Sequence, residues 1–157
     1  MHRKTDAELA ALYQPILREH GIDVPDETAG HVAGIMKERA TFITDLWDLT
    51  SFFFVAPETY EEKQAKKYWK GDNPAILREL REVLASIADF SLENTERIVH
   101  AWIEEKGYGM GQVMNTLRLA LVGAGKGPGM YDVTSFIGKD ECLRRIDHLL
   151  NTLKPAE

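Results

Sequence analysis

The stretch NPAILRELREVLASI, residues 73–87, sets Ile76, Leu77, Leu80, Val83, Leu84 and Ile87 on one face at steps of three and four. Charged residues fill the spaces between them. That period belongs to an amphipathic helix and to no strand. Pro74 suits the first turn of a helix, where its missing N–H is not needed, and Gly71-Asp72-Asn73 before it reads as a loop. Working outward, the same period recurs almost everywhere. Leu9, Leu12, Tyr13, Ile16 and Leu17 form one stripe, opened by Thr5 and Glu8 at capping-box spacing and closed by Gly21. Val32, Ile35 and Met36 lead to Ile43, Leu46 and Trp47, with a break near Arg39 to Thr41, although Gly30 and Gly34 weaken the first half. A short basic-faced helix covers Thr59 to Lys70. Beyond residue 88, Leu92 to Ile103, Met110 to Leu121, Tyr131 to Phe136 and Cys142 to Leu153 carry four further stripes.

No hairpin or strand-helix-strand signal interrupts this pattern. The sequence therefore predicts an all-α, multihelical chain of about eight helices in two helical subdomains, residues 1–88 and 89–157, meeting near Ala88 to Ser91.

The totals exclude several classes. The 157 residues carry 19 basic and 25 acidic side chains, a net charge of −6, with 44% apolar residues. Such a composition supports one medium core and excludes a disordered chain or a disulfide-stapled miniprotein. The longest apolar burst, Phe52-Phe53-Phe54-Val55-Ala56, is far too short to span a membrane, so no membrane partner is expected. No apolar leader follows Met1, and Cys142 is the only cysteine, which suits a reducing cytoplasm. Mild acidity argues against DNA or any other indiscriminate polyanion partner.

Catalytic and metal chemistry find no footing in the residues. Lys126 is followed by Gly127 where a phosphate-binding loop needs Ser or Thr to hold magnesium. The dinucleotide spacing fails as well, and a helix rather than a strand precedes Gly123 to Gly129. The five histidines stand singly, and six residues separate Cys142 from His148, which puts them on different helix faces. The sequence thus points to no catalytic residue, no metal site and no bound cofactor.

Two arginines nevertheless fall within apolar stripes. Arg39 continues the series from Val32, and Arg118 lies between Met114 and Leu121. Each must snorkel to an edge, find an ion pair or face a ligand. Around Arg118 the charge is one-sided: Lys106 to Tyr131 holds Lys106, Arg118 and Lys126 and no acid. Lys63 to Lys70 adds four lysines with no acid between Glu62 and Asp72. Such segments are either solvated basic faces or surfaces suited to an anionic partner's backbone.

The segments Leu117-Arg118-Leu119-Ala120-Leu121-Val122-Gly123, Gly127-Pro128-Gly129-Met130 and Ile137-Gly138-Lys139-Asp140-Glu141-Cys142-Leu143-Arg144-Arg145-Ile146 resemble the C-terminal region of bacterial glutamyl-tRNA synthetases. The pattern there is LRxALTG, a loop containing Gly-Pro, then LGKExxLxRL. Lys37-Glu38-Arg39, Leu46-Trp47-Asp48 and Ser51-Phe52-Phe53-Phe54 are similar to the start of the same anticodon-binding region, and Lys66-Lys67-Tyr68-Trp69-Lys70 to the basic segment after it. The HIGH and KMSKS signatures of the catalytic domain are missing, so the chain resembles a detached anticodon-binding part. The resemblance implies a helical cage that binds the anticodon loop of the glutamate tRNA. The parent catalytic domain, with ATP and magnesium, would join glutamate to that tRNA. It further implies that Arg118, Gly127, Pro128 and Met130 meet the first two anticodon bases. Arg39 would read the third and reject the glutamine anticodon, with Lys106 and Lys126 as possible backbone contacts. Val122 departs from the family's frequent threonine, and the glycine-rich loop from the longer side chains of many members. The competing reading is a stand-alone protein-interaction module that docks a partner on Phe52 to Phe54.

Overall fold

A computed structural model describes residues 5–37, 45–125 and 127–155. Within them lie nine α-helices and no strand: α1 (Asp6–Glu19), α2 (Asp26–Met36), α3 (Asp45–Thr50), α4 (Glu62–Tyr68), α5 (Asn73–Ser86), α6 (Leu92–Lys106), α7 (Met110–Leu121), α8 (Met130–Ile137) and α9 (Lys139–Thr152). A 3-10 turn, Ser51–Phe53, follows α3. The all-α expectation holds. The stripe from Val32 to Trp47 is divided between α2 and α3, and the break expected at Arg39 to Thr41 lies outside the described residues.

The chain forms two compact units, Met1–Val55 and Ala56–Glu157. This division falls well before the 88/89 boundary that the loop signals around Ala88 suggest. Its cause is α5, whose buried Ile76, Leu77, Leu80 and Leu84 pack on α7 and α9. Arg81 reinforces that packing with a two-pronged contact to Asp147 of α9, Nε to Oδ1 at 2.5 Å and Nη2 to Oδ2 at 2.9 Å. Lys139 Nζ also donates to the carbonyl of Ile87 at 2.9 Å, closing the end of α5. Buried Trp69, just beyond α4, donates Nε1–H to Leu153 O at 2.8 Å.

In the first unit the expected capping box starts α1: Thr5 Oγ1 accepts from Glu8 N, and Thr5 N donates to Glu8 Oε1, both at 3.2 Å. Leu9, Ala10, Tyr13 and Leu17 face Ala29, Val32, Ala33 and Met36 in a buried seam. The Tyr13 hydroxyl meets Thr50 Oγ1, and burial pushes its pKa up to about 12, with the Thr50 contact opposing. At the end of α1, His20 stacks flat on Trp47, ring centres 3.9 Å apart.

Gly30 and Gly34, which weaken α2 in isolation, are what let α1 approach. A Cβ on Gly30 would lie 2.6 Å from the backbone oxygen of Asp6, and one on Gly34 would lie 2.5 Å from Asp6 Oδ1. Each glycine costs the helix about 1 kcal/mol of propensity. Burial of each seam leucine, worth roughly 1.5–3 kcal/mol, outweighs that cost. Propensity alone would make Gly30→Ala stabilising by about 1 kcal/mol. The fixed backbone oxygen cannot swing away, so the substitution is expected to destabilise the first unit by about 1–2 kcal/mol. Equilibrium denaturation checks this, and an unchanged or raised midpoint would contradict it.

Candidate nucleic-acid interface

α7 carries the in-phase arginine. Val113, Leu117, Ala120 and Leu121 are buried, whereas Arg118 sits half-buried at the edge of that face. Its Nη1 donates to the carbonyl of Pro128 at 2.9 Å, ten residues along the chain. The guanidinium therefore spans the glycine-rich loop from its root to its far end.

Three other contacts hold that loop. Gly123 turns the chain just past α7 at φ +81°, and a side chain there would strike Pro57 Cβ at 2.8 Å and Thr59 O at 2.9 Å. Both its backbone conformation and its surroundings require glycine. Its carbonyl accepts from Glu61 N at 2.7 Å. Gly125 lies so close to the Gln64 side chain of α4 that a Cβ would come within 2.4 Å of it. Pro57, Glu61 and Gln64 precede α5, so the first third of this unit braces a loop in its second half.

The root of the loop is fixed by Arg145 of α9, the residue sequence reasoning missed. Arg145 is 2% exposed. Its Nε donates to Glu141 Oε2 at 2.9 Å and its Nη1 to the carbonyl of Leu121, the last residue of α7, also at 2.9 Å. A cation at a helix C-terminus satisfies an orphan carbonyl and sits at the negative end of the helix dipole. A signal was present, because Cys142, Arg145, Ile146 and Leu149 share one helical face. Glu141 also receives Arg144, Nε and Nη2 at 2.6 Å each. Chiefly through Arg144 and then Arg145, its carboxyl is held below its ordinary pKa despite partial burial.

Of the residues expected at a site, the structure brings Arg118 and Pro128 into contact, with Gly127 beside them. Pro128 is buried, Gly127 half-buried, and Met130, 4% exposed, ties the start of α8 into the core. Lys106 lies apart. It ends α6 near the N-terminal end of α7, about 12 Å along the axis from Arg118 by helix rise, and stands 3.8 Å from Glu79. Arg39 and Lys126 lie outside the described residues.

The burst expected to dock a protein is core: Phe52 and Phe53 are 8% and 3% exposed, and only Phe54 is half-buried. Among the described residues no group of three or more His, Cys, Asp or Glu could hold a metal. Burial pushes the Cys142 thiol up to about 12, which leaves it a poor nucleophile. No described helix is long and apolar enough to cross a membrane.

The chain matches the family described as anticodon binding domain over residues 8–150. It is 51% identical over 152 residues to the glutamate–tRNA ligase of Phocaeicola vulgatus, covering 97% of this chain and 30% of that protein. Against the glutamate–tRNA ligase of Bacteroides fragilis the identity is 49%, covering 98% and 30%. The crystal structure of a glutamate–tRNA ligase from Elizabethkingia meningosepticum, solved in complex with its amino acid, superposes with a TM-score of 0.90 at 40% identity, over 96% of this chain and 30% of that one. The chain thus spans about 30% of the length of these relatives.

The geometry around Arg145 sets an order of stabilities. Glu141→Gln strands a buried guanidinium and is expected to cost about 3 kcal/mol or more. Arg145→Met removes the charge along with the contact to Leu121 O and costs about 1–3 kcal/mol. Arg144→Gln, at the surface, costs under about 1 kcal/mol. Because folding lowers the Glu141 pKa, its contribution is complete above the ordinary carboxylate pKa and is lost as pH falls through the lower folded value. Denaturation midpoints across an acid series measure both effects. Equal costs for all three variants would contradict the arrangement.

Proposed function

This chain belongs to the anticodon-binding domain family, and from that premise we propose that it reads the anticodon loop of the glutamate tRNA within a glutamate–tRNA ligase. The catalytic part of that ligase, outside this chain, would use ATP and magnesium to join glutamate to the tRNA. The setting is the cytoplasm, with RNA rather than DNA as the partner.

The observation that carries this reading is the braced loop 122–129 with Arg118 across it. Anticodon bases are single-stranded and can splay out, exposing edges that arginine and backbone groups read. An arginine already held by its neighbours loses less rotamer freedom on binding, and its planar fork meets two acceptors at once. Gly127 lies at the loop surface beside it, and the buried Pro128 backs the loop and accepts from Arg118. Met130, buried at the start of α8, stays in the proposal with them at the exit of the loop. A 2′-hydroxyl at the site distinguishes RNA from DNA. Arg39 stays in the proposal as the reader of the third base, and Lys106 and Lys126 as backbone contacts.

The interaction-module alternative loses its basis with the burial of Phe52 and Phe53.

In the full ligase, Arg118→Ala is expected to cost about 1–3 kcal/mol of recognition, by analogy with bidentate base contacts. Aminoacylation kinetics with the natural and an anticodon-swapped tRNA measure it, and unchanged kinetics would remove Arg118 from the site. Arg39→Gln is expected to relax discrimination against the glutamine tRNA. An equal loss with both tRNAs would assign Arg39 a structural role.

A further inference from the structure

Base readers also need a hold on the strand between the bases, and α4 is placed to supply it. Lys63 and Lys67, four residues apart, lie on one side of α4, about 6 Å apart along its axis, and Lys70 follows two residues past the end of the helix. All three are exposed, and among the described residues none forms an ion pair. Lys67 stands 5.3 Å from the ring of Tyr68. Lys66 adjoins Lys63 on the flank away from Gln64 and is taken by Glu62 at 2.8 Å. Glu61 and Glu62 stand at the N-terminal end of the helix, where its dipole favours them. The residue next to Lys63 is Gln64, about 100° further around the helix, and its side chain abuts Gly125. The lysine row therefore flanks the loop 122–129 on the same compact unit, with Glu61 N holding Gly123 O between them.

We propose that Lys63, Lys67 and Lys70 form a ridge that holds the sugar–phosphate backbone of the RNA strand whose bases enter at the loop 122–129. This rests on the anticodon reading and adds the surface that grips the strand. Charge complementarity selects the occupant. Three exposed ammonium groups, without an ion pair among the described residues and close to a base-reading loop, suit phosphates, and such contacts position a strand without reading its sequence. Lysine serves as a point charge there, with no need for a fork. Each phosphate contact releases counterions, so the ridge has a signature that a structural role lacks: a share of the salt dependence of binding.

The test is the binding of an RNA stem–loop with the sequence of the glutamate tRNA anticodon arm, titrated over a series of salt concentrations. Lys63→Gln/Lys67→Gln is expected to lower the slope of log K against log salt by about 1.4, from roughly 0.7 per contact on single strands. Preference for the natural anticodon over a swapped one is expected to stay unchanged. Lys63→Arg/Lys67→Arg keeps both slope and preference. Arg78→Gln/Arg97→Gln, at exposed positions on α5 and α6, leaves the slope near that of the unsubstituted chain. If the unsubstituted chain does not bind the stem–loop at low salt, the anticodon reading fails and the ridge with it. If it binds and the Lys63→Gln/Lys67→Gln variant keeps its slope, the ridge is wrong and the anticodon reading stands. An equal drop for Arg78→Gln/Arg97→Gln would likewise overturn the ridge, since the attraction would then be spread over the surface. Should the double variant fail to fold, Lys67→Gln alone is expected to lower the slope by about 0.7, and an unchanged slope would overturn the ridge.

Discussion

Burying a guanidinium is expensive unless its donors are met, and the second unit buries that of Arg145 almost completely between the Glu141 carboxylate and the carbonyl of Leu121. Burial pulls the Arg145 pKa down and the Glu141 contacts oppose it. An arginine holds its proton under such opposition, so the charge persists and the arrangement must satisfy it. That requirement ties α9 to the last turn of α7. The end of α7 then dictates where Gly123 turns, and the turn dictates where the loop through Pro128 runs. A hydrophobic contact at this place could hold α7 and α9 together, but it would leave the terminal carbonyl unmet and the exit direction of the chain undetermined.

The loop is held at its root by Arg145, along its side by Glu61 and Gln64, and across its far end by Arg118. Recognition of a few unpaired bases gains from such pre-ordering, because little conformational freedom remains to be lost on binding. The net charge of −6 then conflicts less with an RNA partner than it first suggests. The acids sit mainly on outward helix faces, while Lys106 to Tyr131 and Lys63 to Lys70 are free of them. The loop proposed to read bases and the proposed lysine ridge belong to these two acid-free segments.

Local features were readable before the structure. The stripe from Ile76 to Ile87 and the capping box at Thr5 are short-range patterns, and both appear as expected. Arg118 stands out in the sequence because it breaks an apolar stripe, and in the fold it sits half-buried across the loop. Arg145 sits in an equally apolar frame, yet beside Arg144 it reads as half of a solvated pair. Only the carbonyl of Leu121, 24 residues away, explains its burial. The compact units divide at 55/56 rather than 88/89 for a similar reason: turn residues at Ala88 to Ser91 read as a linker, while the Arg81–Asp147 contact that joins α5 to α9 spans 66 positions. Gly30 and Gly34 weaken a helix in isolation, and their use becomes visible only when the backbone of Asp6 lies against them. The contact of Gln64 with Gly125 had no sequence signal at all.

The central claim is that the loop braced by Arg118 and Arg145 meets the anticodon bases. Amide hydrogen exchange of the chain, alone and saturated with the glutamate anticodon stem–loop, tests it most directly. The account predicts new protection concentrated in residues 122–131, with little change at 107–112, where the other end of α7 begins. Protection confined to 107–112 and the facing part of α5, with 122–131 unchanged, would contradict it.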